Sequence, residues 1–132
     1  MSIESPPARV WRVLADIEVW PSWASGVVSV TPESDGEQTA YRIDQPPLPH
    51  ALWTITDWRP EQGFTWQTQG ASSLLTMTFR LQASAVGTDA SVDLQWSGAM
   101  SWMARAAYGP VSLRYADSHL RALKDVCDGV SK

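Results

Sequence analysis

"VWRVLADIEVWPSWASGV", Val10–Val27, holds three tryptophans in eighteen residues and ends where the hydrophobic period changes. Val10, Val13, Leu14 and Ile17 recur at i, i+3, i+4 and i+7, one face of an α-helix. A helix is predicted over residues 5–17, capped by Ser5, with Pro6 and Pro7 in the first turn, where a missing N–H costs nothing. Trp11 lies off that stripe. Trp20-Pro21 must break the helix, because proline drives its predecessor out of the helical region. "PSWAS" (Pro21–Ser25) then predicts a short second helix before Gly26.

From Gly26 to Gly98 the period is two. "GVVSVTPES" reads as a strand closed by the turn pair Asp35-Gly36, and "QTAYRID" follows with Tyr41 and Ile43 on one face. "QPPLPH" (Gln45–His50) is too rich in proline for a ladder and reads as a loop. "ALWTITDWR" and "FTWQTQ" flank the turn "PEQG". "SLLTMTFRLQAS" places Leu75, Met77, Phe79 and Leu81 on one face, and "DASVDLQWSG" alternates Val92, Leu94 and Trp96 with Asp93 and Gln95. Six antiparallel strands with short turns make a meander with one dry and one wet face.

The last thirty residues return to a helical period. Leu113, Ala116, Leu120, Leu123, Cys127 and Val130 form one stripe, while Gly109-Pro110 is expected to kink or interrupt the helix that begins near "SWMARAAY". The order of elements is α+β. Two short N-terminal helices precede a curved antiparallel sheet, and one long C-terminal helix covers its apolar face. A strongly twisted sheet around one helix does not close perfectly, which leaves room for a cavity.

A chain of 132 residues fits a single domain spanning residues 1–132. Ten Lys+Arg against fourteen Asp+Glu, with the arginines scattered, argues against a nucleic-acid partner, which needs a basic face. One cysteine, Cys127, makes no intrachain disulfide, and no leader or membrane-length apolar run is visible. A cytoplasmic protein without stable membrane insertion is expected. His50, His119 and Cys127 lack zinc-type spacing, and no phosphate loop is present, so no metal or cofactor is expected.

"SIESPPARVWRVLADIEVWPSW" resembles the opening signature of the START-like (SRPBCC) superfamily in its polyketide cyclase/dehydrase branch. That signature runs small residue, proline, two variable positions, Val-Trp, two apolar positions, Asp, then Trp-Pro-x-Trp. "ITDWRPEQGFTW", "VGTDASVDLQW" and "HLRALK" are similar to later segments of the family, so the resemblance spans nearly the whole chain. It implies a helix-grip fold, a seven-stranded antiparallel sheet gripping a C-terminal helix with an apolar pocket between. Family members usually begin with a full strand, yet only Met1–Glu4 precede Ser5 here. A truncated first strand is therefore expected beside six full ones. Either the natural start lies upstream or the sheet keeps exposed edges, through which a homodimer can form.

Strand parity puts Trp23, Trp53, Trp66 and Trp96 on or near the inner face, with Ile43, Ile55, Met77 and Phe79. Four inward tryptophans either pack a core or wall a ligand-filled pocket, which also serves their indole N–H groups. Trp58, of opposite parity to Ile55, is expected on the outer side. Met100 and Met103 sit where the last strand meets the last helix, and the "QPPLPH" loop can form the opposite lip. Tyr41 can hydrogen-bond a ligand carbonyl. Asp57 shares parity with Trp53 and Ile55, and a carboxylate there can act as acid or base, or be a solvated strand-end residue. His119 is expected at the surface.

No nucleophile triad or paired-carboxylate motif is visible, so no catalytic residue is assigned. The leading reading is a carrier of a small apolar or aromatic molecule, polyketide-, lipid- or isoprenoid-like. A polyketide cyclase/aromatase or dehydrase using the same cavity is the alternative, because shape and positioning alone can carry such chemistry.

Overall fold

The alternating stretch downstream of Gly26 folds as six full strands, joined by a two-residue stub at the N-terminus. The computed structural model describes residues 1–129 except Ser25, Pro47, Ala71, Ser72 and Met100, and only the backbone of Asp35. The strands are β1 (Ser2–Ile3), β2 (Ser29–Asp35), β3 (Gln38–Asp44), β4 (Ala51–Arg59), β5 (Gly63–Gln69), β6 (Leu74–Ser84) and β7 (Gly87–Ser97). They form one antiparallel sheet in the order β1-β7-β6-β5-β4-β3-β2. Helix α1 (Pro7–Ala15) and a 3-10 helix (Ile17–Ser22) precede β2, and α2 (Ser101–Cys127) follows β7. This is the expected helix-grip architecture. Because β1 pairs only with Thr88 and Asp89, the outer edge of β7 beyond Ala90 meets no described strand.

Ser5 does not cap α1. The N-cap is Pro6, and the Ser5 hydroxyl instead donates to the Cys127 carbonyl at 2.7 Å. Arg9 Nε reaches the same carbonyl at 3.2 Å, and the Glu4 N–H donates to Asp128 Oδ1 at 2.8 Å. Residues 4–9 thus satisfy orphan groups at the end of α2.

The chain leaves α1 at Asp16, before Trp20-Pro21, and Pro21 lies inside the 3-10 helix that replaces the expected Pro21–Ser25 helix. Trp20 explains the geometry. Its indole N–H donates to the Leu14 carbonyl at 3.0 Å, taking up an acceptor that the end of α1 leaves free. The first hairpin also shifts by one residue. Asp35 pairs with Gln38, so the loop is Gly36-Glu37, with Gly36 at φ 64°.

Helix α2 runs unbroken through Gly109-Pro110; an interior proline forfeits one backbone hydrogen bond without ending the helix here. Its buried stripe is Gly109, Ser112, His119, Leu123 and Cys127, whereas Leu113 is 61% exposed. The apolar spacing misled at that point because the upstream residues facing the sheet are small or polar. Val130 lies outside the described residues.

Candidate ligand cavity

Antiparallel register sets the inner wall. Trp66 stands opposite Met77 and Met77 opposite Leu94, while Leu75 stands opposite Trp96. Side chains opposite one another share a face, so β5, β6 and β7 present Trp66, Met77, Leu75 and Trp96 together. Between this wall and α2 lies a cavity of about 610 Å³, inside the ~300–1,000 Å³ range of small-molecule sites.

Six of the residues picked from sequence line it: Ile43, Trp53, Trp66, Met77, Phe79 and Trp96. Trp53 and Trp66 lie 5.3 Å apart at 32°, and the Trp66 N–H points at the Met77 sulfur at 3.5 Å. Gln45, Leu48, Pro49 and His50 bring the proline-rich loop to the cavity, with exposed His50 Nε2 3.2 Å from Asp44 Oδ1.

Others do not reach it. Trp23 packs beside the cavity without lining it, 5.0 Å from the His119 ring and 6.2 Å from Trp20. Tyr41 faces the Asp16 and Glu18 region; burial first, then these two carboxylates, raise its pKa. Ile55 packs against the core without lining the cavity. Met103 is 47% exposed, one helical step away from the face that Ala104 and Tyr108 turn inward. Met100 lies outside the described residues.

Asp57 and Trp58 require correction together. The β4–β5 register slips between Ile55 and Asp57, so beyond the slip Asp57 pairs with Thr65 and Trp58 with Phe64. The bulge reverses parity. Asp57 turns to the outer face and pairs with Arg59 at 2.8 Å. Trp58 moves to the inner side but stays at its rim, 41% exposed, with its ring 4.9 Å from Trp11 and 5.3 Å from Phe64, a contact that helps cover Trp11 although it lies off the helix stripe.

Among the lining residues that the sequence did not single out, Trp20 and His119 stand at the centre of the aromatic cluster. Trp20 is 3% exposed and contacts the rings of Trp23, Phe64, Trp66, Phe79 and His119. The Trp-Pro-x-Trp signature flagged it only as a helix breaker. His119 is 4% exposed, lines the cavity and stands 4.2 Å from Trp20. Desolvation lowers its pKa to about 3, so the imidazole is neutral. Its spacing from Ser112 and Ala116 is the signal that an apolar-only stripe passes over.

Among the described residues, no three His, Cys, Asp or Glu side chains converge to hold a metal ion. No described helix is long and apolar enough to cross a membrane.

Residues 1–128 match the family described as polyketide cyclase / dehydrase and lipid transport. No curated protein matches the chain. Among solved structures, the di-domain aromatase/cyclase StfQ of the steffimycin biosynthetic pathway aligns with a TM-score of 0.81 at 10% identity, over 99% of this chain and 49% of that one. The chain thus spans about half the length of that di-domain protein. The ZhuI aromatase/cyclase from Streptomyces sp. R1128 aligns at 0.73 and 16% identity, over 96% and 88% of the two chains. A STAR-related lipid transfer protein from Xanthomonas axonopodis aligns at 0.57 and 13% identity, over 95% and 81%. At these identities the structural likeness speaks for the fold. With the family match spanning residues 1–128, this chain belongs to the polyketide cyclase/dehydrase and lipid transport family.

Proposed function

We propose that the protein binds a small apolar or aromatic molecule, polyketide-, lipid- or isoprenoid-like, between the sheet and α2. The observation that carries this reading is the cavity of about 610 Å³ walled by Trp20, Trp53, Trp66 and Trp96. Burying apolar ligand surface there gains roughly 25 cal/mol per Å² before the cost of association is subtracted. Aromatic walls favour planar ligands through stacked and edge-on contacts.

A catalytic use of the same cavity, as a cyclase/aromatase or dehydrase, is the second reading. The likeness to the aromatase/cyclases ZhuI and StfQ speaks for it. The disposition of ionisable groups favours the carrier. Asp57 is on the outer face, and His119, with a pKa near 3, is a poor base at neutral pH.

The test uses N-phenyl-1-naphthylamine, a neutral fluorescent probe. Wild type is expected to bind it with a Kd on the order of micromolar, to show quenched tryptophan emission and to melt at a higher temperature when loaded. Ala116→Phe places a ring in the cavity and is expected to abolish uptake while the far-UV spectrum is unchanged. Absence of uptake by wild type would make the tryptophans plain core packing.

A further inference from the structure

Among the described residues, the only fully buried side-chain nitrogen or oxygen without a hydrogen-bond partner is His119 Nε2. Buried polar groups are almost always paired, so this one calls for a partner. Its neighbours do not supply one. The rings around it are Trp20 at 4.2 Å, Trp23 at 5.0 Å and Phe79 at 5.5 Å. The Trp20 N–H is committed to Leu14, and the Trp66 N–H points at Met77. What His119 does border is the cavity, on the face of α2 that also presents Ser112 and Ala116.

We propose that His119 is the polar recognition residue of the cavity, hydrogen-bonding through its imidazole the hydroxyl group of a flat, uncharged ring compound seated against Trp53 and Trp66. This rests on the carrier reading and sharpens it. A flat compound fits because those two indoles lie 5.3 Å apart and only 32° from parallel. An uncharged one fits because the other basic side chains along the cavity, Arg42 and His50, are exposed and face Glu33 at 2.6 Å and Asp44 at 3.2 Å. No buried counter-charge awaits a carboxylate or phosphate among the described lining residues. A hydroxyl fits because it both donates and accepts, and so meets either tautomer of a neutral imidazole. As packed against Trp20 the Nε2 atom is sealed from solvent, so the contact requires the imidazole to turn about χ2 toward the cavity that His119 borders.

The experiment is a cycle of two probes and two proteins: 2-naphthol and 2-methylnaphthalene, titrated into wild type and His119→Phe. The substitution is expected to weaken 2-naphthol about tenfold and to leave 2-methylnaphthalene within about twofold, the signature of one lost hydrogen bond. Equal loss of both probes, or loss of neither, overturns the role of His119 while the carrier reading stands. If neither probe binds wild type, both fall. Should His119→Phe fail to fold, ¹⁵N spectra of wild type decide. The ring nitrogens of His119 are expected to shift with 2-naphthol and not with 2-methylnaphthalene. Unchanged His119 signals overturn the proposal.

Discussion

The His119 imidazole stands edge-on to the Trp20 indole, centroids 4.2 Å apart and planes at 62°. That packing keeps water from the ring and ties stability to pH. The folded-state pKa, about 3, is below the ordinary 6.5, so the unfolded chain binds a proton that the folded chain refuses. Stability from this group is complete above pH 6.5 and is lost as pH falls from there toward 3, by roughly 1.4 kcal/mol per unit. Urea unfolding at pH 7 and pH 4.5 is the check. Wild type is expected to lose roughly 2–3 kcal/mol more than His119→Phe between them. Parallel losses would mean that the ring is solvated.

The two ends of the predicted α2 stripe are expected to respond differently to truncation. Leu123 is fully buried and Leu113 is 61% exposed. Leu123→Ala is expected to cost roughly 2–5 kcal/mol, and Leu113→Ala within about 0.5 kcal/mol. Equal losses in denaturant midpoint would put the upstream half of α2 flat on the sheet and close the cavity.

Gly26 has φ 85°, and a Cβ there would overlap the Tyr115 ring, which lines the cavity. Gly36, at φ 64°, has open space around it. Gly36→Ala therefore carries only the backbone penalty of about 1–2 kcal/mol. Gly26→Ala adds the displacement of Tyr115 and is expected to cost about 1–3 kcal/mol more, with a change in probe affinity that Gly36→Ala does not show. Identical melting temperatures for the two variants would refute the Tyr115 contact.

The bulge in β4 makes a sharp distinction between neighbours. Asp57→Asn is expected to leave probe affinity within about twofold, because the carboxylate is on the outer face with Arg59. Trp58→Ala is expected to destabilise the fold by removing the ring against Trp11 and Phe64. An affinity that follows Asp57→Asn would put the residue back on the inner face.

Alternation made most of the sheet legible, and Trp53, Trp66, Met77, Phe79 and Trp96, which it grouped on the inner face, all line the cavity. It failed at one inserted residue. Past the register slip at Ile55/Asp57, parity inverts, and nothing in "TITDWR" marks a bulge. The helical side of the cavity was hidden for another reason. A hydrophobic stripe identifies where a helix touches a core, whereas a helix over a cavity can present Ala104, Ser112, Ala116 and His119. His119 looked like surface because burying an unpaired imidazole is costly, and sequence shows no occupant to pair it.

The clamp at the end of α2 gives the helix the mechanics of a cantilever. Ser5 and Arg9 hold the Cys127 carbonyl, Glu4 holds Asp128, and Leu123 and Cys127 are buried beneath. Toward the other end the helix spans the cavity with Trp102, Met103 and Leu113 in solvent and Pro110 omitting one rung of its ladder. Local opening costs least where fewest apolar contacts must part. Amide hydrogen exchange along α2 is therefore expected to be graded, fast over the first turns and slow near Cys127.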